Sequence, residues 1–197
     1  MITEVRSRLS VYNPILLEET GGKRAAVLVP VYMHDDKLHI VFTKRTDRVE
    51  SHKGEISFPG GRRDDEDRDL IETALREAQE EVGLRPEHVT IIGQLDDMVT
   101  ISDYHVSAYV GEIDPSTLPY IWLPQEAEVA EVLEVPLPHL LDEANITEVV
   151  ARQRDGEIVS REGFVFHEHV IWGATGRMLR NFLTVTTPSS VEIASAS

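Results

Sequence analysis

The segment from Leu70 to Val82 constrains this chain more than any other. At about 100° per residue, Ile71, Ala74, Leu75, Ala78 and Val82 fall on one stripe, which predicts an amphipathic helix that must bury this face against another layer. Asp69 with Glu72 resembles a capping box at its start, and Gly83 supplies a stop at its end. Glu77, Glu80 and Glu81 form a second stripe in the last two turns. Carboxylates there face the negative end of the helix macrodipole, and Glu77 and Glu81, four apart, repel by roughly 0.2–0.5 kcal/mol. A cation over the stripe would remove that repulsion. Hard divalent ions such as Mg2+ take carboxylate and carbonyl oxygens and leave positions for substrate phosphates. Acidic stripes are more often solvated faces, and Arg76 with Glu80 is an ordinary i,i+4 pair. Two features favour the metal: Gly60-Gly61 before the acidic spacer permits close backbone approach, and Gly83 ends the helix where the acids end.

The rest of the chain supplies the layer that such a helix needs. "AAVLVPVYMH" and "LHIVFTKR" read as two strands joined by a turn at "HDDK". "VTIIGQL", "YHVSAYVGEI", "AEVLEVPL" and "GFVFHEHVI" read as further strands, and a last helix is predicted from about Gly173 to Leu183. Residues 1–23 form an N-terminal segment with room for one short helix, closed by the turn signal Gly21-Gly22; residues 187–197 read as a disordered polar tail. Many strands around two or three helices imply an α/β domain over residues 24–186, with a mixed sheet covered on both faces.

Charge limits what this domain can bind. Thirty-five acids against nineteen bases give a formal charge of −16 over 197 residues, which argues against indiscriminate capture of nucleic acid or anionic membrane. An anionic ligand would need a mediating cation. The apolar run Ala25–Met33 is too short to cross a bilayer and contains Pro30, and no signal peptide opens the chain, so a cytoplasmic protein is expected. The absence of cysteine excludes disulfides, thiol nucleophiles and thiolate metal sites.

Gly61, five residues, Asp67, and then Arg76-Glu77-Ala78-Gln79-Glu80-Glu81-Val82-Gly83-Leu84 resemble the Nudix box of the Nudix hydrolases. The usual pattern has Glu where Asp67 stands and seven residues before the arginine, whereas eight intervene here. Outside the box, "VFTKRTDRVESHKGEISFPGG" is similar to the motif that precedes it in the coenzyme A diphosphatase branch, and "HVIWGATGRMLRNFL" to that branch's C-terminal segment. With "EVAEVLEVPLPHLLD", these stretches cover most of Ala25 to Leu183. One departure is Glu50, where the branch has an arginine four residues before Gly54; Arg45, Arg48 or Lys53 would supply the positive charge instead.

The resemblance implies an αβα sandwich around a mixed sheet and metal-dependent hydrolysis of coenzyme A or an acyl-CoA to 4′-phosphopantetheine and adenosine 3′,5′-bisphosphate. It implies Mg2+ or Mn2+ held by Glu77, Glu81, Glu80 and the Gly61 carbonyl, with Arg76 orienting the carboxylates. The expected catalytic residues are Glu80, Arg76 and a general base sought among Glu126, Glu128 and Glu131, of which Glu128 is carried forward. Arg45, Arg48, Lys53 and Gly60 are the expected substrate contacts. The implied partner is a small nucleotide, with no nucleic acid or membrane; a homodimer is left open. Alternatives are a Nudix diphosphatase for ADP-ribose, NADH or a nucleoside triphosphate, and a Nudix-fold sensor without turnover. Three intact glutamates argue against the sensor.

Other groupings are weaker. His167 and His169 alternate with Glu168 on one expected strand and would share a face, but two histidines make an incomplete zinc site. Trp172, Phe164 and Phe166 are expected in the core more than against a base. Ser57, Ser102 and Thr175 lack a nucleophile context, and Lys44 with Arg45 is too small a patch for nucleic acid.

Overall fold

The computed structural model describes residues 1–17, 23–46, 54–100, 103–152 and 157–188. Its first two strands, β1 (Lys23–His34) and β2 (Lys37–Arg45), form a hairpin in which His34 pairs with Lys37. The two residues between them, Asp35 and Asp36, both have positive φ, 46° and 59°, as the tightest right-twisting hairpin turn requires. Aspartate tolerates that conformation better than most side chains, which is why "HDDK" works as a turn without glycine.

Six further strands complete the sheet: β3 (Ile56–Ser57), β4 (Gly60–Arg62), β5 (Val89–Gln94), β6 (Met98–Val99), β7 (Tyr104–Ile113) and β8 (Val129–Pro136). The order is β3-β2-β1-β7-β5, with β4 also on β1, β6 on β7 and β8 on β2. β1 and β7 run parallel while the other pairs are antiparallel, so the sheet is mixed.

Alternation along β1 sends side chains to two cores. Ala25, Val29 and Val31 join Val5 and Leu9 of α1 (Ile2–Val11), Leu137 and Leu140 of α3 (Leu137–Leu141), and Met178, Leu179, Phe182 and Leu183 of α4 (Gly173–Thr186). Ala26, Leu28 and Tyr32 join Ala74, Ala78 and Val82 of α2 (Leu70–Val82) on the other face. The expected αβα sandwich is the observed one. No helix among the described residues is long and apolar enough to cross a membrane.

The structure corrects the sequence reading at "GFVFHEHVI", which is not one strand. β10 (Ile158–Phe166) turns at His167 and Glu168 into β11 (His169–Ile171), with Phe166 paired to His169 and His167 at φ 53°. The two histidines therefore occupy a turn and a strand, and share no strand face. His169 is buried, its Nε2 3.3 Å from a Glu131 oxygen. β9 (Ile146–Arg152), α3 and the first half of β10 had no clear signal in sequence; β9, β10 and β11 form a separate three-stranded sheet. The cap of α2 is also half of what was expected. Asp69 accepts the Glu72 N–H at 2.8 Å, but the Glu72 carboxylate takes the N–H of Arg68 at 2.6 Å, one residue before the cap. Gly21-Gly22 and residues 189–197 of the tail lie outside the described residues.

Candidate active site

The site begins with two glycines in β4. Gly60 lies opposite Val27 and Gly61 opposite Ala26 in the β1 pairing. A Cβ on Gly60 would stand 2.4 Å from the Ala26 carbonyl oxygen, so glycine is needed there for the strands to approach. A Cβ on Gly61 would stand 2.4 Å from Glu77 Cδ and 2.5 and 2.6 Å from its two oxygens. The missing side chain of Gly61 is thus the space that the Glu77 carboxylate uses.

Arg76 organises the acids of α2. Its Nε and Nη2 donate to Asp67 Oδ1 and Oδ2 at 2.9 and 3.0 Å, and its Nη1 donates to Glu77 Oε1 at 2.9 Å and Glu80 Oε2 at 3.3 Å. Nη2 also reaches the Arg62 carbonyl at 3.0 Å, which ties the helix to the end of β4. Asp67 is buried and additionally accepts from the Asp64 N–H at 2.9 Å and Thr73 Oγ1 at 2.8 Å. The Arg76 hydrogen bonds, helped by those two donors, outweigh burial and hold the Asp67 carboxyl well below the usual carboxylate range. Arg76 is pushed up in turn, chiefly by Asp67.

Glu81 is in the opposite condition. Its side chain is 4% exposed, and its neighbours are distant: the Gly60 N–H donates to Oε2 at 3.3 Å, and Arg45 Nη1 lies 3.6 Å from Oε1. Burial pushes its pKa up to about 8, with Glu77 and Glu128 adding to the shift and Gly60 and Arg45 opposing it. Burial also raises Glu77, against the pull of Arg76 and with help from Glu80 and Glu128. Glu80 is more exposed, at 57% of its side chain.

The third contribution comes from the loop before β8. The N–H groups of Leu123 and Gln125 donate to the carbonyls of Val82 and Glu81 at 3.0 and 2.9 Å, so this loop caps the end of α2. Leu123 also packs where a Cβ on Gly83 would go, 2.8 Å away, and Gly83 itself adopts φ +72° to end the helix. The Thr46 N–H donates to the Glu128 carbonyl at 2.8 Å, and a Glu128 oxygen lies 4.0 Å from Arg45 Nη2.

The structure therefore gathers Gly60, Gly61, Arg76, Glu77, Glu80, Glu81, Arg45 and Glu128 in one place. Glu126 is exposed and Glu131 is engaged by His169, so neither joins them. Arg48, Lys53, Glu50 and Ser102 lie outside the described residues. Ser57 is hydrogen-bonded to Thr43 and Thr175 is buried in α4, while Phe164 sits in the core. Sequence reasoning missed Thr73, which lies on α2 one turn before Arg76 and Glu77, a spacing that could have drawn it in, but meets Asp67, which precedes the helix.

Among the described residues, no three acidic or histidine side chains converge closely enough to hold a metal ion as they stand. The hydrogen bonds explain this: Arg76 draws Glu77 and Glu80 to itself, while Glu81 leans on Gly60 and Arg45. The donor set nonetheless fits a hard divalent cation. It is all oxygen, it includes the buried Glu81 carboxylate, whose nearest donors, the Gly60 N–H and Arg45 Nη1, stand off at 3.3 and 3.6 Å, and Gly61 gives the Glu77 carboxylate its room.

The NUDIX domain family model matches residues 22–156. Two curated proteins named "Uncharacterized Nudix hydrolase NudL", from Salmonella paratyphi B and Salmonella newport, are each 36% identical over 176 residues, covering 88% of this chain and 88% of their own. A MutT/nudix family protein from Enterococcus faecalis shares the fold, with a TM-score of 0.58 at 12% identity over 93% of this chain and 68% of that one. Sandwich, glycine turn and glutamate-bearing helix together define a hydrolase of diphosphate bonds. The chain belongs to the Nudix family, whose hydrolases generally use divalent metal ions and act on small nucleotide-like molecules.

Proposed function

We propose that this chain hydrolyses the diphosphate of coenzyme A or an acyl-CoA, using Mg2+ or Mn2+, to 4′-phosphopantetheine and adenosine 3′,5′-bisphosphate. The observation that carries this reading is the meeting of Arg45 with Glu81 at 3.6 Å. Arg45 belongs to the stretch that resembles the branch motif and Glu81 to the box, so the substrate-selecting and catalytic sequences face one another. β11, which opens the C-terminal stretch with the same resemblance, packs beside β3 of the pre-box stretch.

Glu77, Glu81, Glu80 and the Gly61 carbonyl would hold the ion. When bound, the cation neutralises charge on the diphosphate and makes a coordinated water more acidic. Arg76, anchored by Asp67, fixes the rotamers of Glu77 and Glu80. Arg45 faces the phosphate oxygens and Gly60 backs Glu81 through its N–H. Glu128, beside Arg45, takes the proton from the attacking water. The catalytic unit runs over residues 24–186, with 1–23 as an N-terminal extension.

The test is kcat/KM across CoA, acetyl-CoA, ADP-ribose, NADH and dNTPs. CoA or acetyl-CoA is expected to lead by about tenfold or more, a difference of about 1.4 kcal/mol in transition-state binding. A clear lead for ADP-ribose or a dNTP would reject the branch and leave the family.

A further inference from the structure

Four of the nineteen basic residues of this acidic chain line a single cavity of 310 Å3. Lys23 and Arg24 open β1, and Arg62 and Arg63 follow Gly61. Ala25 pairs with Arg62, and the Arg63 N–H donates to the Arg24 carbonyl at 3.0 Å, so strand pairing forces the four together. Asp64 and Asp65 complete the lining.

The two aspartates offset part of this charge and leave the four cations and two acids of the lining at a formal +2. Arg63 is occupied by the Asp67 and Arg68 carbonyls at 3.1 and 3.4 Å, and Asp64 Oδ1 accepts the Glu66 N–H at 3.1 Å. Among the described residues, Lys23, Arg24 and Arg62 have no carboxylate partner. Arg24 Nε and Nη1 are buried without a hydrogen-bond acceptor, a condition that needs a reason. Lys23 Nζ lies 5.4 Å and Arg62 Cζ 6.0 Å from the centre of the Tyr104 ring, which holds the two cations close where repulsion would part them.

The lining is wholly charged, with no apolar side chain to cover a base or an acyl chain. The volume stands at the small end of ligand sites, about 300–1,000 Å3. A compact anion suits it, and a phosphomonoester carries about −1.5 to −2 charges at neutral pH. The cavity is also near the site already described. Arg62 follows the glycine that faces Glu77, and Arg24 is two residues from the Ala26 that pairs with that glycine, roughly 7 Å along a strand.

We propose that Lys23, Arg24 and Arg62, with Arg63 as the rim, bind a phosphomonoester that the substrate carries in addition to the diphosphate being cleaved. The proposal rests on the CoA reading, since CoA carries such a group on its ribose and ADP-ribose does not.

The test is equilibrium binding, by calorimetry on the full chain, of adenosine 3′,5′-bisphosphate and of AMP. The parent is expected to bind the bisphosphate about tenfold or more tightly than AMP. The double variant Lys23→Ala/Arg62→Ala, at two exposed side chains, should bring that ratio close to one. Lys37→Ala, at the exposed end of the β1–β2 hairpin, should leave it unchanged and so controls for net charge. No bisphosphate preference in the parent, or a preference that survives in the double variant, overturns the proposal. The two readings fail separately. A preference held by Lys23 and Arg62 in an enzyme that turns over ADP-ribose faster than CoA keeps the subsite and rejects CoA. No preference in an enzyme that favours CoA rejects the subsite alone.

Discussion

Asp67 and Arg76, nine residues apart, form a two-point ion pair, Nε to Oδ1 at 2.9 Å and Nη2 to Oδ2 at 3.0 Å. The geometry is that of the strongest charge-assisted hydrogen bonds. It gives Asp67, which departs from the usual box pattern, a positioning role: it holds the arginine that holds Glu77 and Glu80.

Asp67→Asn should therefore lower stability and turnover together. Losing hydrogen bonds to a charged group costs about 1.5–3 kcal/mol, and the freed Arg76 would move with its glutamates. Because Arg76 depresses the folded pKa of Asp67, the ionised carboxylate stabilises the fold above the unfolded value near 4 and loses that contribution as pH falls through the folded one. The Tm gap between parent and variant should be full at pH 7 and narrow below about pH 4. A gap that stays constant on acidification would contradict the role.

The two glycines of β4 should respond differently to alanine. At Gly61 the three atoms nearest the added Cβ all belong to the Glu77 carboxyl group and none to backbone, so Gly61→Ala should cut kcat by about 10-fold to 100-fold with little change in Tm. At Gly60 it meets the Ala26 carbonyl and Val27 Cα, so Gly60→Ala should lower Tm as well. Equal melting losses in both would mean that Gly61 serves the sheet and not the carboxylate.

Single substitutions separate the three candidate bases. Glu128→Gln should reduce kcat by about 10²-fold or more, as removal of a general base does, while Glu126→Gln and Glu131→Gln should act weakly. The expectation follows from position, since Glu128 is beside Arg45 while Glu126 is exposed and Glu131 pairs with His169. The measurement is kcat for the three variants beside the parent; a loss at Glu126→Gln or Glu131→Gln as large as that at Glu128→Gln would contradict the assignment.

Much of this architecture was legible in sequence because periodicity and turn chemistry agreed. The α2 stripe, its Asp69 and Gly83 ends, and the β1–β2 hairpin all carry local signals strong enough to fix them. The hairpin at His167 was not legible, because an apolar alternating run conceals a turn that has no glycine or proline to mark it. Within the site, Arg76 and the glutamates share a helix and so could be read together. Arg45 and Glu128 reach the same place through sheet pairing and a loop, and no spacing along the chain records that convergence. The basic cavity was missed for the same reason, since Lys23-Arg24 and Arg62-Arg63 are joined only by the β1–β4 pairing.

The metal assignment rests on Glu77 and Glu81, and the melting behaviour of Glu81→Gln tests it most directly. Burial raises the folded pKa of Glu81 to about 8, above its unfolded value, so the metal-free fold favours the protonated form and this group's contribution declines as pH rises toward 8. Glutamine imitates that form, and the metal-free variant should be no less stable than the parent at pH 7.5. A cation that binds only the folded state at a hundred times its Kd adds about 2.7 kcal/mol, roughly 5–10 °C of Tm in a chain of this size. Mn2+ at constant ionic strength should therefore raise the parent's Tm by several degrees and the variant's by much less, with turnover falling by about 10²-fold or more. A variant that melts lower than the parent without metal, and that responds to Mn2+ as the parent does, would show that the glutamate stripe is a solvated helix face and not a metal site.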